Sequence, residues 1–210
     1  MSIIVDRYIK IKSYLNSKPV NIIAVSKTFP LEHIKPLIDH GHIHFGENKV
    51  QEAIVKWNSN NNKNIQLHMI GKLQSNKAKK AVELFDFIHS LDNEKLANDL
   101  SKYENILNKK IKYFIQVNVG MESRKSGINY KELDEFYNYC INDLKLRVIG
   151  LMAIPPNDGN EEIHFKYLSE TNSLLGLKEL SMGMSSDYKK ALKYKASFLR
   201  IGSAIFGERS

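Results

Sequence analysis

The chain has 210 residues, 42% of them hydrophobic, and a formal net charge of +8 at pH 7. That length suits one compact domain, residues 1–210, and a single α/β barrel fits in about 200 to 250 residues. The positive balance would suit an anionic partner, but no basic stripe interleaved with aromatics and no RNA-binding signature occurs, so the lysines read as solvated helix faces and no nucleic acid is expected.

The opening stretch, "MSIIVDRYIKIKSYL", carries Asp6 and Arg7 early, which argues against a secretory signal, and its spacing predicts a helix over roughly 3–15. Short β-branched runs then alternate with amphipathic segments. Strands are predicted at 21–26, 42–45, 65–70, 85–90, 111–119, 146–153, 177–182 and 198–206. Between the first two lies "PLEHIKPLIDHG", with Leu31, Ile34, Leu37 and Ile38 on one side and Gly41 as a stop. "ENKVQEAIVKW", "SNKAKKAVELF", "NEKLANDLSKYENIL", "YKELDEFYNYCI", "EEIHFKYLSETNSLL" and "SDYKKALKYK" show the same helical spacing. The run at 58–64 reads as a polar loop. Eight strands in strict alternation with helices predict parallel pairing through right-handed crossovers, and a closed (β/α)8 TIM-type barrel rather than an open doubly wound sheet, which remains the alternative. The lone cysteine, Cys140, excludes an internal disulfide and reads as a small apolar helix residue. No window reaches the roughly 20 apolar residues of a membrane span. A cytoplasmic, soluble protein is expected, with no membrane partner.

In a parallel barrel the functional face lies at the C-terminal strand ends. There the first strand ends at Lys27, the second at "GEN", the third at "IGKLQSNK", the fourth at His89 and Ser90, and the fifth near Asn118. Strand six ends at Met152, strand seven at "SMGMSS" and strand eight at "RIGSAIFG". The last two loops are rich in small residues and hydroxyls, which let backbone N–H groups approach an anion; ordinary turn chemistry is the competing explanation. A phosphate held there, opposite a strand-end lysine, suits a cofactor bearing both a phosphate and an aldehyde, and pyridoxal 5′-phosphate is the candidate. Arg200, in an otherwise apolar run, needs a partner such as a pyridine nitrogen. A snorkelling Lys27 and an Arg200 in a structural ion pair stay open on spacing alone. His42 and His44 alternate on strand two, but two ligands with no nearby cysteine or carboxylate make a poor metal site, and no metal is expected.

The stretches "AVSKTFP", "FGENKVQE", "HMIGKLQSNK", "IHSLD", "QVNVGMESRKSGI", "GLMAIPP", "LSMGMSSD" and "RIGSAIFGER" run in order from residue 24 to 209. Through them the chain resembles the pyridoxal phosphate homeostasis proteins, which are similar to the N-terminal barrel domain of alanine racemase. The resemblance implies a single barrel holding one pyridoxal 5′-phosphate as a Schiff base on Lys27. It places Ser181, Gly183 and Ser185 around the phosphate on one side, and Gly202 and Ser203 on the other. Arg200 would face the pyridine nitrogen, Asn48 and Met152 would line the ring pocket, and His68 and Asn118 would lie nearby. Gly71, Gln74, Asn76 and Lys77 match a signature without assigned individual roles. The chain departs from the pattern at Ser203, where threonine is common, in a shortened sixth loop "PPNDGNEEIHF", and in a helix "SDYKKALKYKASFL" that lacks an expected glycine.

A racemase needs acid–base groups on both faces of the cofactor ring. Lys27 could serve one. In alanine racemase a tyrosine from an additional β-domain serves the other, and no such domain is expected in a chain that stops at Ser210. An arginine at the pyridine nitrogen also keeps the ring unprotonated and weakens it as an electron sink. The expected function is therefore intracellular buffering or carriage of pyridoxal 5′-phosphate by a monomer, affecting amino-acid and keto-acid balance, with enzymes lacking the cofactor as recipients and no catalytic residues. A pyridoxal-dependent racemase or lyase, and a basic RNA-associated protein, are the alternatives.

Overall fold

The structure is a computed structural model that describes residues 2–15, 19–58, 62–122 and 125–208. Its centre is a closed ring of eight parallel strands: β1 (Asn21–Val25), β2 (His44–Glu47), β3 (Gln66–Met69), β4 (Phe87–Leu91), β5 (Lys112–Gln116), β6 (Arg147–Met152), β7 (Glu179–Met184) and β8 (Phe198–Ile201). The ring closes where β1 pairs with β8, with Asn21 opposite Phe198 and Ile23 opposite Arg200. This rules out the open doubly wound sheet.

Around the ring lie α1 (Ile3–Leu15), α2 (Leu31–Asp39), α3 (Val50–Trp57), α4 (Ala78–Leu84), α5 (Glu94–Leu107), α6 (Tyr130–Asn138) and α7 (Glu161–Leu174), with single turns α8 (Tyr188–Ala191) and α9 (Ser203–Phe206). The sequence marks several of their ends. Asn93 Oδ1 accepts from the Leu96 N–H at the start of α5, and Asn129 Oδ1 accepts from the Lys131 N–H at the start of α6. Asn108 closes α5 in the left-handed region at φ 47°. The helix expected through residue 141 leaves α-geometry after Asn138 and finishes as a π-turn over Tyr139–Asp143. The core begins on α1, where Ile4, Val5, Tyr8, Ile11 and Leu15 form one buried stripe.

Strands buried on both faces read as continuous apolar runs, yet the pleat still sorts them. Ile88, Tyr113, Ile115 and Leu199 pack outward against helices, while Ile23, Phe87, Phe114, Met152 and Phe198 fill the barrel interior. Two histidines join that interior layer. His68 stacks on Phe87 with centroids 4.2 Å apart, and His89 on Phe114 at 4.3 Å.

Every predicted strand moves by a residue or more at one end or both, and four of the differences bear on the site. β2 starts at His44 rather than 42, because the His42 ring turns away to bond Tyr8 Oη at 3.2 Å and the His44 carbonyl at 2.8 Å. β5 stops at Gln116, after which Val117 bridges to Ile128 and the Asn118 side chain holds the Glu122 backbone through both its amide atoms. β7 is shifted by two residues from the predicted 177–182, to Glu179–Met184. β8 ends at Ile201, because Gly202 leaves extended geometry (φ −113°, ψ −85°) and launches α9 where strand was predicted. The polar loop at 58–64 lies partly outside the described residues. Among the described residues no helix is long and apolar enough to cross a membrane.

Candidate functional site

A cavity of about 820 Å³ opens at the C-terminal mouth of the barrel. Lys27, Asn48, Ser185, Arg200, Gly202 and Ser203 all line it, brought together from the ends of β7, β8, β1 and β2, four consecutive strands of the ring. Its apolar wall comes from Val25, Phe29, Ile70, Ile154 and Met184.

Lys27 is set by the turn that ends β1. The Ser26 N–H continues the ladder to the Gly46 carbonyl at 3.0 Å, and the Phe29 N–H then closes on the Ser26 carbonyl at 3.2 Å. Between them Thr28 sits at φ 70°, a left-handed conformation that is strained for a β-branched residue. Such strain persists only where the surroundings over-determine it. Here they do so through Glu47, which is fully buried behind the turn. Glu47 Oε1 accepts from Ser26 Oγ at 2.7 Å, from Lys56 Nζ at 2.7 Å and from Trp57 Nε1 at 3.1 Å, while Lys56 Nζ also reaches the Ser26 carbonyl at 2.6 Å. Strand end, buried carboxylate and helix α3 thus form one rigid block beneath Lys27.

On the neighbouring strand β8 stands Arg200, 4% exposed. Its guanidinium donates to the Ser181 carbonyl and to Ser181 Oγ, each at 2.7 Å, and to the Ala153 carbonyl at 2.8 Å. No carboxylate lies within ion-pairing distance among the described residues. Burial lowers its pKa to about 10, and the more distant Asp187 charge opposes that shift, so it remains a cation near neutrality. These three acceptors fix the guanidinium where Arg200 lines the cavity.

The loops after β7 and β8 are tied together by one atom. Ser185 Oγ accepts from the Gly202 N–H at 3.2 Å and the Ala204 N–H at 3.3 Å. Two backbone donors therefore converge on one oxygen at the cavity rim, and an anion seated there would take the place of Ser185 Oγ as their acceptor. A Cβ built on Gly202 would find nothing closer than Val25 at 3.5 Å, so the protein's own packing does not require glycine there. Gly183 is different: it lies at φ +89°, and a Cβ would meet Ala191 Cβ at 2.7 Å, so it is needed to bring α8 against β7.

Five of the expected site residues lie away from this wall. Gly183 shapes the β7 turn. Asn118 is committed to the loop after β5, and Met152 is fully buried in the interior layer. Ser181 and His68 are also fully buried, and they belong to a chain of hydrogen bonds that the sequence did not suggest. His44 Nδ1 lies 3.0 Å from His68 Nε2, His68 Nδ1 lies 2.9 Å from His89 Nε2, and His89 Nδ1 lies 2.8 Å from Ser181 Oγ, where Arg200 takes over. Burial holds His68 and His89 well below the ordinary histidine range, and burial with the nearby Lys112 charge brings His44 to about 4. The available signal was polar residues at inward positions of strands that should be apolar throughout. Cys140 is fully buried, and burial pushes its thiol up to about 12, which fits packing rather than nucleophilic chemistry.

A family model described as the alanine racemase N-terminal domain matches residues 3–210. A protein of Aquifex aeolicus named pyridoxal phosphate homeostasis protein is 36% identical over 199 residues, covering 90% of this chain and 86% of its own length. An Escherichia coli K12 protein of the same name is 36% identical over 201 residues, with the same coverage. The solved structure of PipY from Synechococcus elongatus PCC7942 with PLP bound superposes with a TM-score of 0.91 at 35% identity, covering 97% of this chain and all of PipY.

Proposed function

The chain belongs to the alanine racemase N-terminal domain family, and from that premise we propose that it binds pyridoxal 5′-phosphate in the upper cavity and serves to hold and release it. The donor set fits the group. A primary amine at Lys27 meets an aldehyde. The Gly202 and Ala204 N–H groups, with the Ser185 and Ser203 hydroxyls, meet a phosphate dianion. An Arg200 N–H beyond those given to Ser181 and Ala153 would meet a ring nitrogen that accepts a hydrogen bond. When bound, the cofactor supplies an electrophilic aldehyde and an electron-withdrawing ring.

The protein's own residues do the holding. Lys27 would hold the aldehyde carbon through its amine, with loss of the carbonyl oxygen as water, and the Glu47 block keeps that amine at the rim. Arg200, fixed by Ser181 and Ala153, would orient the ring by donating to its nitrogen, which as an acceptor would carry no proton. Asn48 closes the side beside β2. His68, Asn118, Met152 and Gly183 act at one remove, by filling the interior and shaping loops. The observation that carries the reading is the convergence of Lys27, Arg200 and the Ser185-tied N–H pair in one cavity.

A carrier role, rather than turnover, is supported by relatives whose names describe homeostasis and not a reaction. It is also supported by the cavity wall, where the ionisable side chains are Lys27, Arg200 and Glu208. The same reading takes the chain as a cytoplasmic monomer that passes the cofactor to enzymes lacking it. The test is incubation with pyridoxal 5′-phosphate, a visible spectrum, then borohydride reduction and peptide mass analysis. Yellow protein with the added mass on the Lys27 peptide is expected, and Lys27→Ala should stay colourless. A wild-type chain that takes up no colour, or an alanine variant that retains the cofactor equally well, overturns the proposal.

A further inference from the structure

The opposite end of the barrel has a cavity of its own, about 640 Å³, lined by the first residue of every strand. Lys112, Arg147 and Lys178 line it, and none of them makes an ion pair with a described carboxylate; Glu179 is the single acidic residue in the wall. Lys112 instead lies over the Phe87 ring, 4.5 Å from its centroid. His44 also lines this cavity, and it is the lower end of the histidine chain.

The polarity of that chain follows from its upper end. A guanidinium can only donate, so Ser181 Oγ accepts from Arg200. The remaining neighbour within reach of the Ser181 hydroxyl is His89 Nδ1 at 2.8 Å, so the hydroxyl donates there. A neutral imidazole that accepts at Nδ1 carries its proton on Nε2. His89 Nε2–H therefore donates to His68 Nδ1, and His68 Nε2–H to His44 Nδ1. His44 is left with its Nε2–H pointing out of the chain and without a described partner in the protein. Hydrogen bonds in series polarise one another in the same sense, so a buried cation at the top strengthens the donor at the bottom.

We propose that the lower mouth of the barrel is a second binding site for a small organic oxyanion, a phosphate ester or a dicarboxylate, which accepts from His44 Nε2–H and is neutralised by Lys112 and Arg147. The cavity has room for more than an inorganic ion, and its wall carries three cations against one carboxylate. The inference does not depend on what the upper cavity holds. It requires only the Arg200 cation and the three neutral rings.

The experiment is two-bond ¹H–¹⁵N correlation of the histidines, on the unloaded chain and again after loading with pyridoxal 5′-phosphate, which would occupy the upper cavity. His44, His68 and His89 should each show the Nε2–H pattern. Titration with inorganic phosphate, and separately with succinate, should move the His44 signals along a saturating curve in both preparations. Response to phosphate alone assigns phosphate esters, and response to succinate alone assigns carboxylates. Lys112→Met and Arg147→Gln, which leave the chain of rings intact, should each weaken the response about fivefold. An Nδ1–H pattern at His44, no saturable shift, or an equal shift with sodium chloride of the same ionic strength overturns the proposal. So does an unchanged response in both variants.

Discussion

Acidification should unfold this barrel over an unusually narrow interval, because His68 and His89 are buried as neutral rings. Both are fully enclosed, and burial, with neighbouring positive charge, depresses their pKa well below the value of 6.5 that an unfolded histidine has. The stability they contribute is complete above pH 6.5. It is lost as the pH falls below that value, since the unfolded chain takes up protons that the folded chain refuses. Each such ring costs about 1.4 kcal/mol per pH unit, so two rings cost about 5 kcal/mol by about pH 4.5. His42, buried beside Tyr8 with a folded value of about 4, adds roughly 2.5 kcal/mol over the same interval. His44 shares the depression but is half-buried, and solvent screens its contribution. The total is comparable with the whole stability of a typical domain, about 5–15 kcal/mol. Urea unfolding followed by circular dichroism across this range is the assay. The midpoint should fall steeply below pH 6.5, and His68→Gln should reduce the slope by about 1.4 kcal/mol per pH unit. A midpoint that stays constant between about pH 6.5 and 4.5 would refute the assignment of these rings as buried and neutral.

Two further outcomes follow from the upper cavity. Lys56→Met leaves Glu47 charged, buried and unpaired, and should cost about 3–5 kcal/mol, seen as a melting temperature lower by about 10 °C. Combining it with Glu47→Gln should recover part of that loss, and a double variant as unstable as the sum of the singles would show that the pair does not act as a unit. Ser185→Ala should weaken pyridoxal 5′-phosphate binding about tenfold in equilibrium dialysis while the unloaded chain melts within a few degrees of wild type, and undiminished binding would remove Ser185 from the anion cradle.

Much of this was legible in the sequence, for identifiable reasons. Strand and helix order followed from period, and the barrel from strict alternation, because burial on both faces leaves apolar runs whose short length and β-branched content set them apart from buried helices. Lys27 and Arg200 were legible as charges interrupting such runs. Strand ends were harder to place. The extended run through Phe206 hid a one-residue break at Gly202, because a backbone kink has no hydrophobic signature. The histidine chain was invisible for another reason: His44, His68 and His89 lie in different strands, and only the register of β2, β3 and β4 brings their rings together. His42 and His44 looked like a pair from their alternation, yet each ring turns to a different neighbour.

The seam between β1 and β8 has a consequence for biosynthesis. The amine of Lys27 and the guanidinium of Arg200, which line the upper cavity together, are contributed by the earliest and the latest strands to leave the ribosome, and they share one wall only when those strands zip together. A nascent chain emerging up to β7 has two raw sheet edges and half a binding site. If the proposed site holds, loading awaits ring closure, and a vitamin-derived ligand that bridges the seam would act as a clasp on the finished barrel rather than as a template for building it.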